Sequence, residues 1–320
     1  MRMTRRGMML GGSALSMAPS VALATPATQV IGGLAFGSTW RLVLPAAADK
    51  YRARRAVEAT VARVDAAMSP WRADSEVARF NARDTTDWQP MSAATMSVAT
   101  EAHRVARLTS GAFDPTVGPL VARYGFGPIS GTPRGYRALE LDAGAMRKTA
   151  PGVTLDLCGI AKGYALDQVG ELLRNNGFTN AVLELGGEVL TLGSHPSGRA
   201  WQVAVEQPGG LAVQRIVAPN ARALATSGHL PQGYAGPRAR VSHLIDPATA
   251  QPSVGPLAAV SVLAATGCRA DALATALTVL GPDDGPALAR RLGISALFLT
   301  KGGAGFDEIM TASFADHIIA

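Results

Sequence analysis

Residues 154–177 read TLDLCGIAKGYALDQVGELLRNNG. The stretch predicts a buried strand that breaks at a glycine and runs directly into an amphipathic helix, with Asp156 and Lys162 on either side of the break. A helix N-terminus offers unpaired backbone N–H groups and the positive end of its dipole. An anion gains from both, and a lysine one turn in adds a full charge. That layout suits a phosphate. It suits equally a plain strand-to-helix corner whose glycines serve packing, because the loop is not a Walker sequence and short Gly/Lys loops recur by chance. Lysine is scarce, at Lys50, Lys148, Lys162 and Lys301 only, which makes one inside a glycine motif less incidental.

Three further stretches stand in order around it. They are SGAFDPTVGPLVARYGFG (110–127), ALATSGHLPQGY (223–234) with SHLIDPATAQP (242–252), and CRADALATALTVLG (268–281). In that order and at those intervals the set resembles the ApbE family, the FAD:protein FMN transferases, from about Phe36 to about Gly303. The resemblance implies an α+β fold of mixed, largely antiparallel sheets flanked by helices, with a flavin cleft between two packed lobes. No Rossmann domain is expected, since no G-x-G-x-x-G follows a strand. The implied reaction passes FMN from FAD to a threonine hydroxyl of an acceptor flavoprotein through a phosphoester bond, with AMP leaving and magnesium required. Two rival readings stay open: a metal-dependent FAD pyrophosphatase giving FMN and AMP, and a non-catalytic periplasmic flavin carrier.

Carried residue by residue, the resemblance makes Phe36, in a Phe-Gly-Ser-Thr that stands where the family reads Met-Gly-Thr, part of the flavin lining. Trp71, in SPWRADSEVARFNAR (69–83), stands where the family has a tyrosine or tryptophan. Ala112, Phe113, Asp114 and Ile245 would contact the flavin nucleotide, and Asp156 and Lys162 its phosphate or ribose end. Magnesium would be held by Asp271, Thr275 and the backbone carbonyl of Gly159. An acid and a hydroxyl at i and i+4 share a helix face and suit a hard cation already held by phosphates. Catalysis falls to Asp271 and to His243, which would take the threonine proton. By itself a histidine is more often a structural residue, and only the motif makes His243 the base. At Ala250 the family has glycine, so alanine would strain the turn if that position needs a positive φ.

Along the rest of the chain, a strand is expected from Leu34 to Leu44 and helices over 47–68, 91–109 and 269–280. A surface excursion is expected over 128–150, glycine-linked strands after the central helix with one face covered, and two closing strands at the end. At 320 residues, 48% hydrophobic and 17% charged, the chain can bury a sizeable core. The first residues carry paired arginines, a weakly apolar middle and Ala22-Leu23-Ala24 as a small-x-small cleavage signal, which predicts a twin-arginine export leader over 1–24 and a transferase domain over 25–320. Losing Arg2, Arg5 and Arg6 lowers the formal charge of +6 to about +3, too scattered for nucleic acid. No stretch is long and apolar enough to span a membrane. No cysteine precedes Cys158, so a soluble periplasmic protein without a lipid anchor is expected, serving an acceptor that is a membrane redox-complex subunit. An oxidising compartment would permit a Cys158–Cys268 disulfide if their Cα atoms come within about 7 Å; two separate thiols is the other reading.

Overall fold

Phe36 and Gly37 fold the first described strand back on itself. The computed structural model describes residues 27–210, 212–229, 233–235, 240–303 and 305–320; the leader expected over 1–24 lies outside them. Strand β1 (Thr28–Ala35) pairs antiparallel with β2 (Ser38–Pro45), joined by Phe36 at φ 52° and Gly37 at φ 73°. Positive φ at both central residues is the type I′ hairpin turn, whose twist matches the flanking strands. The single strand expected from Leu34 to Leu44 is therefore corrected to a hairpin, because Gly37 permits the turn.

Six more strands follow: β3 (Ala181–Leu185), β4 (Glu188–Leu192), β5 (Ala223–Gly228), β6 (Leu257–Ala264), β7 (Ser295–Lys301) and β8 (Phe306–Thr311). With β1 and β2 they form one eight-stranded sheet in chain order, every neighbouring pair antiparallel. Six helices accompany it: α1 (Lys50–Met68), α2 (Glu76–Ala82), α3 (Ala93–Leu108), α4 (Gly118–Arg123), α5 (Ala161–Asn175) and α6 (Gly267–Leu292). Helix α6 lies over β5 and β6, α5 over β4, and α1 and α3 pack against these two helices. The starts are capped as their sequences require: Asp49, Ser75, Ser92 and Thr266 each accept a backbone N–H from the first turn of α1, α2, α3 and α6.

The main core fills the space between the helices and the sheet, with Trp40, Leu42, Leu183, Val260, Leu273 and Phe298 among its buried side chains. On the opposite face, Leu224, Leu263, Leu297 and Leu299 meet Val205, Val217 and Phe314 in a smaller cluster. Strands β4, β6 and β7 are thus buried on both faces over most of their length and show no apolar/polar alternation. The one-face alternation expected of the sheet holds on β3 but not there.

Three other expectations change. The strand expected from Thr154 into Asp156 is buried extended chain outside any sheet. Its backbone is paired instead by the Asn81 side chain, which accepts from Leu155 N at 2.7 Å and donates to Leu155 O at 2.8 Å. The excursion over 128–150 contains strands Leu139–Asp142 and Ala145–Lys148, which join Gln89–Pro90 in a three-stranded sheet and bury Leu139, Met146 and Lys148. Helix α6 runs past Leu280 through a break at Gly281 (φ 80°, ψ −168°), where Pro282 restarts it.

Candidate functional site

The site is built where the N-termini of α5 and α6 cross. A side chain at Gly163 would overlap the carbonyl of Gly267 and stand 2.8 Å from Asp271 Cβ, and one at Gly267 would stand 2.6 Å from Gly163 O. Only glycine at both positions lets the backbones approach this closely. Asp167, one turn into α5, completes the joint: its carboxylate accepts from Gly267 N at 2.6 Å and Cys268 N at 2.9 Å, satisfying donors that the start of α6 leaves unpaired. Burial pushes the Asp167 carboxyl up, and those two N–H groups pull it back.

The crossing sets Asp271 against Lys162. Asp271 is 2% exposed, and its Oδ2 accepts from Gly163 N at 3.0 Å. Lys162 Nζ lies 3.6 Å from Asp271 Oδ1 and 2.9 Å from Glu188 Oε1. Burial alone would pull the Lys162 amine down, but the carboxylates of Asp271 and Glu188 outweigh it and hold it well above the usual lysine range. Burial pushes the Glu188 carboxyl up against the pull of Lys162. The lysine stem rests on the β3–β4 turn, where a Cβ at Gly186 would stand 3.3 Å from Lys162 Cδ, and Gly186 N donates to Thr39 O at 2.9 Å. The first hairpin, with Phe36 at its tip, is thereby tied to the same end of the sheet.

Next to this cluster, a Cβ at Gly159 would stand 3.4 Å from Thr275 Oγ1 and 3.2 Å from the Phe113 ring. Thr275 Oγ1 is in turn 3.3 Å from Ser227 Oγ at the end of β5. Burial pushes the Asp156 carboxyl up; its Oδ1 accepts from Cys158 N at 2.9 Å, and its own N–H donates to Pro115 O at 2.7 Å. Asp114 Oδ1 accepts from Thr116 N and Oγ1, both at 2.7 Å. A cavity of about 470 Å³ opens between Asp114, Thr116, Arg134 and Ala250. Each carboxylate thus spends part of its acceptor capacity shaping its own loop, and the Asp156 backbone N–H joins the two loops through Pro115 O.

Among the described residues no group of three or more His, Cys, Asp or Glu side chains gathers as a metal cage. Asp271, Thr275 and the Gly159 carbonyl would nevertheless offer oxygen donors only, with a single carboxylate among them. Magnesium is held in that way where substrate phosphates and water complete its coordination, so the residues fit the ion.

A family profile described as the ApbE family matches residues 36–298. The chain belongs to the ApbE family. The FAD:protein FMN transferase of Vibrio cholerae is 34% identical over 309 residues, 90% of this chain and 92% of that protein. The one of Escherichia coli is 30% identical over 320 residues, 92% of this chain and 91% of its own length. The solved flavin transferase ApbE from Vibrio cholerae matches the fold with a TM-score of 0.82 at 33% identity, over 91% of this chain and 99% of that structure. The apo flavinyl transferase ApbE of Pseudomonas stutzeri matches at 0.82 and 32% identity, over 92% and 97%.

Two positions that the resemblance singled out meet the backbone directly. Ala250 has φ 57°, in the left-handed region that favours glycine, at a cost of about 1 kcal/mol. The turn keeps its shape through Asp246, whose carboxylate accepts from Ala248 N at 2.9 Å and Thr249 Oγ1 at 2.8 Å. Phe36 also sits at positive φ, half-buried against the main core.

His243 precedes the short strand Ile245–Asp246; Ile245 is buried there, and the His243 ring meets Phe126 edge-on at 6.2 Å. Ser242 beside it is held by Leu244 N at 3.1 Å and by His229 Nδ1 at 3.0 Å. Trp71 stands 68% exposed in the turn after α1, with no bond tying it to the Lys162 cluster. Of the two readings of the cysteines, the structure has two separate thiols, with Cys158 exposed and Cys268 buried at the first turn of α6. Sequence reasoning missed Asp167, Glu188, Ser227 and His229. Two of them left a signal. Asp167 closes the KGYALD run, and Glu188 is an acid at the head of an otherwise apolar strand.

Proposed function

We propose that this ApbE protein transfers FMN from FAD to a threonine hydroxyl of an acceptor flavoprotein and releases AMP. The observation that carries the reading is the half-buried Lys162 between Asp271 and Glu188 at the start of α5, three residues after Gly159, which lies against Thr275. The N–H left on Lys162 and the helix start would hold the phosphate end of FAD. Phe36, Trp71, Ala112, Phe113, Asp114 and Ile245 would wall the flavin, and Asp156 would order the loop beneath it. Magnesium, held by Asp271, Thr275 and the Gly159 carbonyl, would supply neutralisation of charge on the phosphoryl oxygens. As the threonine Oγ bonds to the FMN phosphorus, the P–O bond to AMP breaks and His243 takes the hydroxyl proton.

Incubation with FAD and magnesium, with and without an acceptor flavoprotein, tests this. AMP formed only with acceptor, together with acid-stable flavin on the acceptor, is the expected result. AMP and free FMN without acceptor would make the protein a pyrophosphatase. Tight FAD binding with no AMP in either case would make it a carrier.

We place the protein in the periplasm, facing an acceptor subunit of a membrane redox complex. Paired arginines and Ala22-Leu23-Ala24 support export, and no described helix is long and apolar enough to cross a membrane. The exported chain is expected to begin near Thr25 on N-terminal sequencing; Met1 intact on periplasmic protein would refute the leader.

A further inference from the structure

Glu188 heads β4, 2% exposed, in a strand that continues Val189, Leu190, Thr191 and Leu192. Its Oε1 lies 2.9 Å from Lys162 Nζ, while its buried Oε2 makes no hydrogen bond. A buried carboxylate with one oxygen unsatisfied is costly, and an apolar side chain of similar size would carry no such cost. Lys162 does not need Glu188 for neutrality, since Asp271 already stands 3.6 Å from the ammonium. One ammonium between two buried carboxylates leaves a single negative charge in excess, at the helix start that would otherwise be an anion site.

We propose that Glu188 is a positioning residue for flavin transfer: its charge draws the Lys162 ammonium away from the phosphates and leaves Asp271 in surplus negative charge, so the site favours the divalent cation over the bare pyrophosphate. The inference rests on the FAD and magnesium reading above. The geometry gives the charge a defined target. The Lys162 stem rests on the Gly186 turn, and the carboxylates that its Nζ meets from inside the protein are Glu188 and Asp271. Removing the charge at Glu188 releases one of the two inward pulls. The ammonium then serves Asp271 and the phosphates together, which strengthens FAD binding without metal and weakens magnesium binding.

Glu188→Gln keeps the shape and removes the charge. Flavin fluorescence in EDTA is expected to show FAD bound about three- to tenfold more tightly than by wild type. Calorimetric titration of the FAD-loaded protein should show magnesium half-saturation about tenfold higher, the order set by one charge at a few ångströms in a partly buried site. Unchanged values in both titrations overturn the inference, as does weaker FAD binding in EDTA. Should the glutamine variant not fold, Glu188→Asp carries the test: it retains the charge and should keep FAD affinity in EDTA within about twofold of wild type, whereas a gain of the size expected for glutamine would refute the charge argument. Wild-type protein that binds no FAD in either condition would sink the flavin reading, and the inference with it.

Discussion

Asp271→Asn is expected to lower magnesium-dependent AMP release by at least about a hundredfold while the thermal unfolding midpoint stays near that of wild type. The separation follows from what each carboxylate oxygen does. Oδ2 accepts from Gly163 N at 3.0 Å, a bond that an asparagine carbonyl can also accept. Oδ1 faces Lys162 at 3.6 Å, and there the charge is lost. Breaking a buried ion pair by removing one partner ordinarily costs about 3–5 kcal/mol, because the other charge is stranded. Here Lys162 retains Glu188 at 2.9 Å and is not stranded, so the fold keeps most of its stability. A magnesium ion held as proposed would have no such reserve, since Asp271 would be the single carboxylate in its donor set. Assays across a magnesium series, beside circular dichroism melting, check both halves. Full activity at low magnesium would discard Asp271 as a ligand, and a collapsed melting curve would make it a structural residue.

What the sequence made legible was local. The central motif announces itself because its glycines, its lysine and its acids lie within one strand-to-helix length, and each has a backbone or charge reason to be there. Asp271 and Thr275 were paired on the same local ground, one helical turn apart on α6. The missed partners are distant in sequence. Glu188 meets Lys162 across the β3–β4 turn, and Asp167 caps a helix that begins 100 residues later. Asn81 substitutes for a sheet partner at Leu155 across a separation of 74 residues. The small sheet within 128–150 escaped because its third strand, Gln89–Pro90, lies before α3, and turn-forming residues around it resemble plain loop. The type I′ turn at Phe36 was hidden by a different rule: phenylalanine rarely takes a positive φ, and Gly37 alone hinted at the hairpin.

His243→Ala is expected to bind FAD nearly as wild type does and to transfer FMN at least about a hundredfold more slowly. Near neutral pH a threonine hydroxyl is almost wholly protonated, so attack on phosphorus needs a group that accepts the proton as the bond forms, an effect typically worth about 10²–10⁴-fold. Histidine is the side chain suited to that range. Neighbouring bonds help fix the loop around His243: Ser242 is held by Leu244 N at 3.1 Å and His229 at 3.0 Å, and Ile245 pairs with Pro252. Losing the edge-on contact with Phe126 costs about 0.5–1.5 kcal/mol, and a melting curve recorded beside the assay separates that loss from a loss of chemistry. The structure also supplies the control. His229 reaches the same loop through Ser242, and burial pushes its imidazole below the usual histidine range. His229→Asn should therefore retain most of the transfer rate at saturating FAD and acceptor. If His229→Asn loses the rate and His243→Ala keeps it, the base is His229. If His243→Ala loses FAD binding with little change at saturation, His243 is a binding residue, and the proton must leave to Asp271 or to a group on the acceptor.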